Sequence, residues 1–205
     1  MNSLRKAFHI IRINVRAYLV MNAVVYGAVV VGLVLGVLFP VVNAAATDAF
    51  AGSAANGLVQ TVVGNGWAFA TTIFLVNVFP TALLQITLPS LLIPFVGLVI
   101  FTLNSIRLGI MLAPVDTASA LTLIPHSLTM LVEFQAYVLV MLGAYVLGRS
   151  WIRPATVDAS THRRGYVRGL AQLGRLWLPA LALFAVGAIY EVLEIYYLVP
   201  LVRGT

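Results

Sequence analysis

The chain has 205 residues, of which 61% are hydrophobic and only 9% charged. Soluble domains carry about a quarter of their residues as Asp, Glu, Lys and Arg, so too little charge is present to cover a water-facing surface. Together with a mean hydropathy of +1.03, this predicts lipid as the solvent for most of the surface. The net charge is +6, but the basic residues sit beside apolar runs. They therefore point to orientation in a membrane rather than to nucleic acid as a partner. The absence of cysteine excludes disulfides, thiolate metal sites and a cysteine nucleophile.

Residues 1–17 read as an amphipathic helix. Leu4, Phe8, Ile11 and Val15 recur on one face, and Arg5, His9, Arg12 and Arg16 fall on another. Such a helix either lies in the interface beside anionic headgroups or simply opens the first span. The first span is expected at about 18–39, close to the ~20 residues needed to cross a bilayer. It is also too long for the h-region of a signal peptide. Within it Ala28, Gly32 and Gly36 form a small-residue stripe that admits another helix closely. Residues 40–66, rich in Ala, Gly and Asn, read as a loop with one short surface helix capped by Thr47 or Asp48.

Spans two and three are expected at about 67–87 and 91–113, separated by only Leu88, Pro89 and Ser90. Pro80, Pro89 and Pro94 each remove a backbone donor, so broken helices or a re-entrant hairpin are consistent with this stretch. A fourth span at about 121–147 and a fifth at about 176–201 flank a basic link, 148–175, that holds six arginines. Five crossings put this link and the basic N-terminus on one side. The positive-inside rule makes that side cytoplasmic and leaves the C-terminus outside. The expected fold is thus all-α, one polytopic bundle of about five spans in a cell membrane, on this reading a prokaryotic plasma membrane.

Function must be sought among side chains that lipid penalises, since a charge at the bilayer centre costs about 2.5–3.5 kcal/mol on insertion scales. Arg107, His126, Glu133, Glu191 and Glu194 fall within or near spans, with the amides of Asn77 and Asn104. At about 1.5 Å of rise per residue, all map to the outer half of the bilayer and are expected to meet. His126 and Glu133 are two helical turns apart on one face, and Glu191 and Glu194 also share a face. Arg107 is the expected counter-ion. One arginine against three glutamates leaves the set short of positive charge, so a carboxyl should hold a proton or a cation should sit nearby. A register-fixing polar network and a proton or ion pathway both fit. A zinc site does not, because the spacing of His126 and Glu133 is not that of a usual ligand pair. No nucleophile elbow, phosphate-binding loop or His-Glu-x-x-His motif occurs, and neither a catalytic set nor a cofactor site is expected.

Several of these residues carry a resemblance to a known family. Asn77, the run Asn104, Ser105, Ile106, Arg107, Leu108 and Gly109, the Ile124, Pro125, His126 and Ser127 segment, and the small-residue run Gly187, Ala188, Ile189 and Tyr190 ending in Glu191 resemble the stage II sporulation protein M family. Ser127 stands where that family usually has Gly, and Met130 where it places a glutamate one turn after the histidine. The resemblance implies a non-enzymatic membrane scaffold with envelope-protein partners or further copies of itself. A permease that uses the polar cluster is the alternative.

Overall fold

The computed structural model describes residues 3–204, which form helices joined by short turns, with no strand among them. We number the helices α1 (Ser3–Ile13), α2 (Val15–Leu38), α3 (Pro40–Ala51), α4 (Ala54–Val62), α5 (Gly66–Leu92), α6 (Val96–Met111), α7 (Thr117–Ile152) and α8 (His162–Arg203). Four of them, α2, α5, α7 and α8, are long and apolar enough to cross a membrane; α6 is apolar but shorter. Valines and leucines exposed along the outer face of α2, such as Val20, Val30, Val34 and Leu38, would make an insoluble face in water and make an ordinary one in lipid. The chain is an integral membrane α-helical bundle.

The centre of the bundle is the antiparallel pair α7 and α8. Nearly every side chain of α7 from Phe134 to Leu147 is buried. Where the helices press closest, one side offers glycine. A Cβ on Gly143 would lie 3.2 Å from the Leu173 backbone, and one on Gly169 would lie 2.9 Å from that of Leu147. Gly165 meets the Ser150 carbonyl and Pro154 in the same way. The spacing Gly165-x-x-x-Gly169, which sequence alone leaves as a polar turn or short surface helix, is therefore a helix-packing stripe. It carries α8 down to His162. The expected long basic link shrinks to residues 153–161, with one short 3-10 turn, Pro154–Val157.

The α2 stripe packs inside the bundle. Buried Ala28, Gly32 and Gly36 run along α6, where a Cβ on Gly32 would come within 2.8 Å of Gly109 Cα and one on Gly36 within 2.6 Å of the Ile110 carbonyl. The two helices thus run parallel, as helices one crossing apart must. Asn43 on α3 then reaches over the end of α6 and donates to the Ile110 carbonyl at 2.7 Å, satisfying an acceptor that the helix terminus leaves free.

Three boundaries differ from the sequence reading. Residues 40–66 form two helices rather than one. Pro40 starts α3, with its fixed φ suited to a first turn, so Thr47 and Asp48 lie inside α3 and neither caps it; Ser53 caps α4 instead. The hairpin link is 93–95 rather than 88–90, because Pro89 is tolerated at the start of the last turn of α5, while Ile93, ahead of Pro94, turns extended and Phe95 adopts a left-handed conformation before α6. Finally, α5 and α8 each contain a stretch of wide π-type turns, at Asn77–Thr87 and Glu194–Leu198. Pro80 and Pro200 lie within or just after these stretches and cannot donate to the preceding turn.

Tracing the contacts, α2 rises from one end, called the basic end for its arginines, to the opposite end, where α3 and α4 lie. Then α5 descends, α6 rises, α7 descends and α8 rises. Gly66 at the top of α5 faces Val192 and Tyr196, and at its foot Leu91 accepts from Tyr166. At the opposite end Arg203 donates to Thr122.

Candidate functional site

Two polar groupings face each other across α5, α7 and α8, toward the end opposite the arginines. In the first, Asn77 uses both ends of its amide. Its nitrogen donates to Glu133 at 2.6 Å, and its oxygen accepts from the Tyr137 hydroxyl at 2.7 Å. Gly187 on α8 makes room for Glu133: a Cβ there would lie 2.7 Å from Glu133 Cγ. In the second grouping Glu194, only 1% exposed, faces His126 Nδ1 at 2.8 Å and accepts from the Thr129 hydroxyl. His126 and Glu194 form the one ion pair among the described residues, when the imidazole is protonated. Both π-type stretches begin at residues of these groupings, Asn77 and Glu194. A wide turn rotates the following residues about the helix axis, a local device often found at functional sites.

Glu191 lines a cavity of about 360 Å³ together with His126 and Glu194. Ser119, Thr122 and Arg203 also line this cavity, on the side away from the basic end. Below the polar groups the core turns apolar. The Tyr137 ring packs against Phe101 in a tilted contact and against Phe184 edge-on, with centroids 4.5 and 4.8 Å apart, and Val138, Val140, Leu142, Leu147 and Leu176 are buried on the side of the basic end. The polar groups therefore lie between a cavity that extends toward Arg203 and an apolar layer on the side of the basic end.

Of the seven residues singled out from sequence, the structure brings together Asn77 with Glu133, and His126 with Glu194, and sets Glu191 beside the second pair. It does not bring in Arg107 or Asn104. Arg107 is exposed on α6, and His126 occupies the place expected for it as partner of a carboxylate. The reason is helix phase. Gly97, Phe101, Ser105 and Gly109, four apart, form the buried face of α6. Arg107 lies two residues away from that register and projects outward. Asn104 is half-buried outside the cluster.

A second network escaped the sequence reading. Gln135 accepts from the Tyr18 hydroxyl at 2.6 Å and donates to Asn22 at 2.6 Å and to the Tyr26 oxygen at 3.0 Å. Tyr18, Asn22 and Tyr26 recur every four residues, which is one helical face, so the signal lay in that spacing. Thr129 was likewise recoverable as the polar residue one turn after His126. Tyr137, one turn after Glu133, follows the same rule.

No group of three or more His, Cys, Asp or Glu residues converges on a metal position among the described residues. The fold and these contacts define a polytopic-type membrane bundle with an interior polar site. Comparison with protein-family models, curated proteins and solved structures yields no match.

Proposed function

We propose that this chain is a non-enzymatic membrane scaffold, or a partner subunit of an envelope complex, that crosses a prokaryotic plasma membrane five times. Its N-terminus and the 153–161 turn face the cytoplasm, and its C-terminus lies outside. The traverse of the bundle by α2, α5, α6, α7 and α8 supports the count, although α6 spans only about 24 Å at the usual rise of about 1.5 Å per residue. Arg12, Arg16, Arg149, Arg153 and Arg168 gather at the end assigned to the cytoplasm. The observation that carries the scaffold reading is the apolar layer beneath a largely internally paired cluster. Glu133 and Glu194 find donors within the chain, and the Phe101, Tyr137 and Phe184 layer separates them from the basic end. Paired polar groups of this kind fix which helices meet and in what register. The likeness of these residues to the stage II sporulation protein M family points the same way, to partners in the envelope.

One observation favours a second reading, a permease or permease subunit: the cavity that reaches Glu191 from one side is what an alternating-access site presents in one of its states. Reconstitution separates the two. The purified chain in liposomes holding a pH-sensitive dye, with an imposed proton gradient, should leak no faster than empty liposomes, and Glu191→Gln should change nothing. Flux above the empty-liposome rate that Glu191→Gln abolishes would replace the scaffold with the permease.

A further inference from the structure

The basic end carries a second site that neither reading above uses. Between the kink at Asn14 and the α7–α8 hairpin lies a cavity of about 310 Å³, lined in part by Asn14, Arg149, Arg168, Gln172 and Arg175. Two buried polar atoms there have no hydrogen-bond partner among the described residues, Asn14 Oδ1 and Arg149 Nε. Asn14 is only 5% exposed, and its amide nitrogen is spent on the Ile10 carbonyl. Its oxygen is thus an unmet acceptor in the wall of a cavity rich in cations. A buried acceptor left so carries an unrecovered desolvation cost, which a ligand's donor would offset. Asp158, also on the rim, contributes its carbonyl to Arg168.

Arg149 links this cavity to an apolar groove. It also lines a smaller pocket with Phe95, Tyr145 and Arg153, and its guanidinium sits over the Tyr145 ring, 5.9 Å from the centroid. Phe95 and Tyr145 in turn wall a groove of about 710 Å³ between α2, α6 and α7, which runs past Val20, Met21, Val24, Leu98 and Leu103. Arg16 stands on the same groove. Arginine cations, an unmet acceptor and an apolar channel therefore adjoin one another.

We propose that this end of the bundle holds one anionic glycerophospholipid with a hydroxyl-bearing headgroup, of the phosphatidylglycerol type. The phosphate pairs with Arg149, flanked by Arg16 and Arg153. A headgroup hydroxyl donates to Asn14 Oδ1, and one acyl chain lies in the groove along Val20 and Val24. Guanidinium groups suit this task because they present several donors in a plane to phosphate oxygens. Basic pockets between spanning helices are a recurrent mode of anionic-lipid recognition. The lipid would hold α2 against α7 where protein contacts are replaced by the groove.

The test is native mass spectrometry of the full chain in detergent, delipidated and then titrated with phosphatidylglycerol or phosphatidylcholine of identical acyl chains. One equivalent of phosphatidylglycerol should remain bound at activation energies that strip phosphatidylcholine. Removing an arginine at a membrane surface should weaken the preference about fivefold each, so Arg16→Ala with Arg153→Ala, both on exposed residues, should weaken it more than tenfold without disturbing the fold. Val24→Trp, which fills the groove and leaves every charge in place, should lower retention as well. Equal retention of the two lipids, indifference to either variant, or displacement of the lipid by equimolar inorganic phosphate would overturn the proposal.

Discussion

The crossing of α2 over α6 offers the most quantitative test of the packing. A Cβ on Gly32 would sit 2.8 Å from Gly109 Cα and from Ile110 N, and one on Gly109 would sit 2.9 Å from Gly32 Cα and 3.0 Å from Leu33 N. Carbon atoms pack best at about 3.5–4.0 Å, so Gly32→Ala forces the helices apart by roughly 0.7 Å or more. The obstructing atoms are backbone and cannot rotate away. Overpacking of this kind costs about 1–3 kcal/mol, and the upper half of that range is expected here. Gly109→Ala should cost about the same. The same separation relieves both clashes, so the double variant should cost little more than either single one. The coupling should be about −2 kcal/mol, a size typical of residues in direct contact. Equilibrium unfolding in mixed micelles, followed by tryptophan fluorescence, measures all three. Near-neutral single variants, or a double variant equal to the sum, would show that this crossing does not bear the load assigned to it.

Other expectations follow from the polar groups. Glu194→Gln keeps the shape and an acceptor for Thr129, so it should unfold within about 1 kcal/mol of wild type. Glu194→Leu strands the His126 ring and the Thr129 hydroxyl and should lose about 1–3 kcal/mol in the same unfolding assay. Gln135→Leu should cost less, about 0.6–1.7 kcal/mol, the range for hydrogen bonds between membrane helices, and should speed amide exchange in α2 near Tyr18. At the opposite end Asp116 caps α7, and its carboxyl is held below its usual pKa by the Ser119 amide and then by the Ser119 hydroxyl. A depressed carboxyl stabilises the helix start above its ordinary pKa and stops doing so as pH falls through the lower folded value. Protection of the first-turn amides of α7, measured against the intrinsic exchange rate at each pH, should therefore fall on acidification, and in Asp116→Ala it should be low at every pH.

The membrane class and the long helices were legible because their signal is summed over twenty or more residues. The Gly32 stripe was legible for a related reason: four-residue spacing of small residues has little other use in an apolar helix. Helix ends were not. The arginines of 163–175 looked like a loop because charge there suggests solvent, yet α8 continues through them on the close contact of Gly165 and Gly169 with α7. The pairing of His126 with Glu194 could not be chosen over a pairing with Glu133 from sequence. Spacing on one helix says which residues share a face, and only the rotation of α8 against α7 decides which faces meet. Arg107 shows the same limit from the other side. Its depth along α6 fitted the cluster, but its angle about the axis did not.

The central claim is a five-span bundle whose basic end faces the cytoplasm. Because the chain contains no cysteine, single cysteines report directly on sidedness. We would place them at exposed Gly57 and Thr117, and at exposed Leu92 and Ala155, then treat intact cells with a membrane-impermeant maleimide. Gly57→Cys and Thr117→Cys should label at once, whereas Leu92→Cys and Ala155→Cys should label only after permeabilisation. Labelling of Leu92→Cys or Ala155→Cys in intact cells would contradict the account.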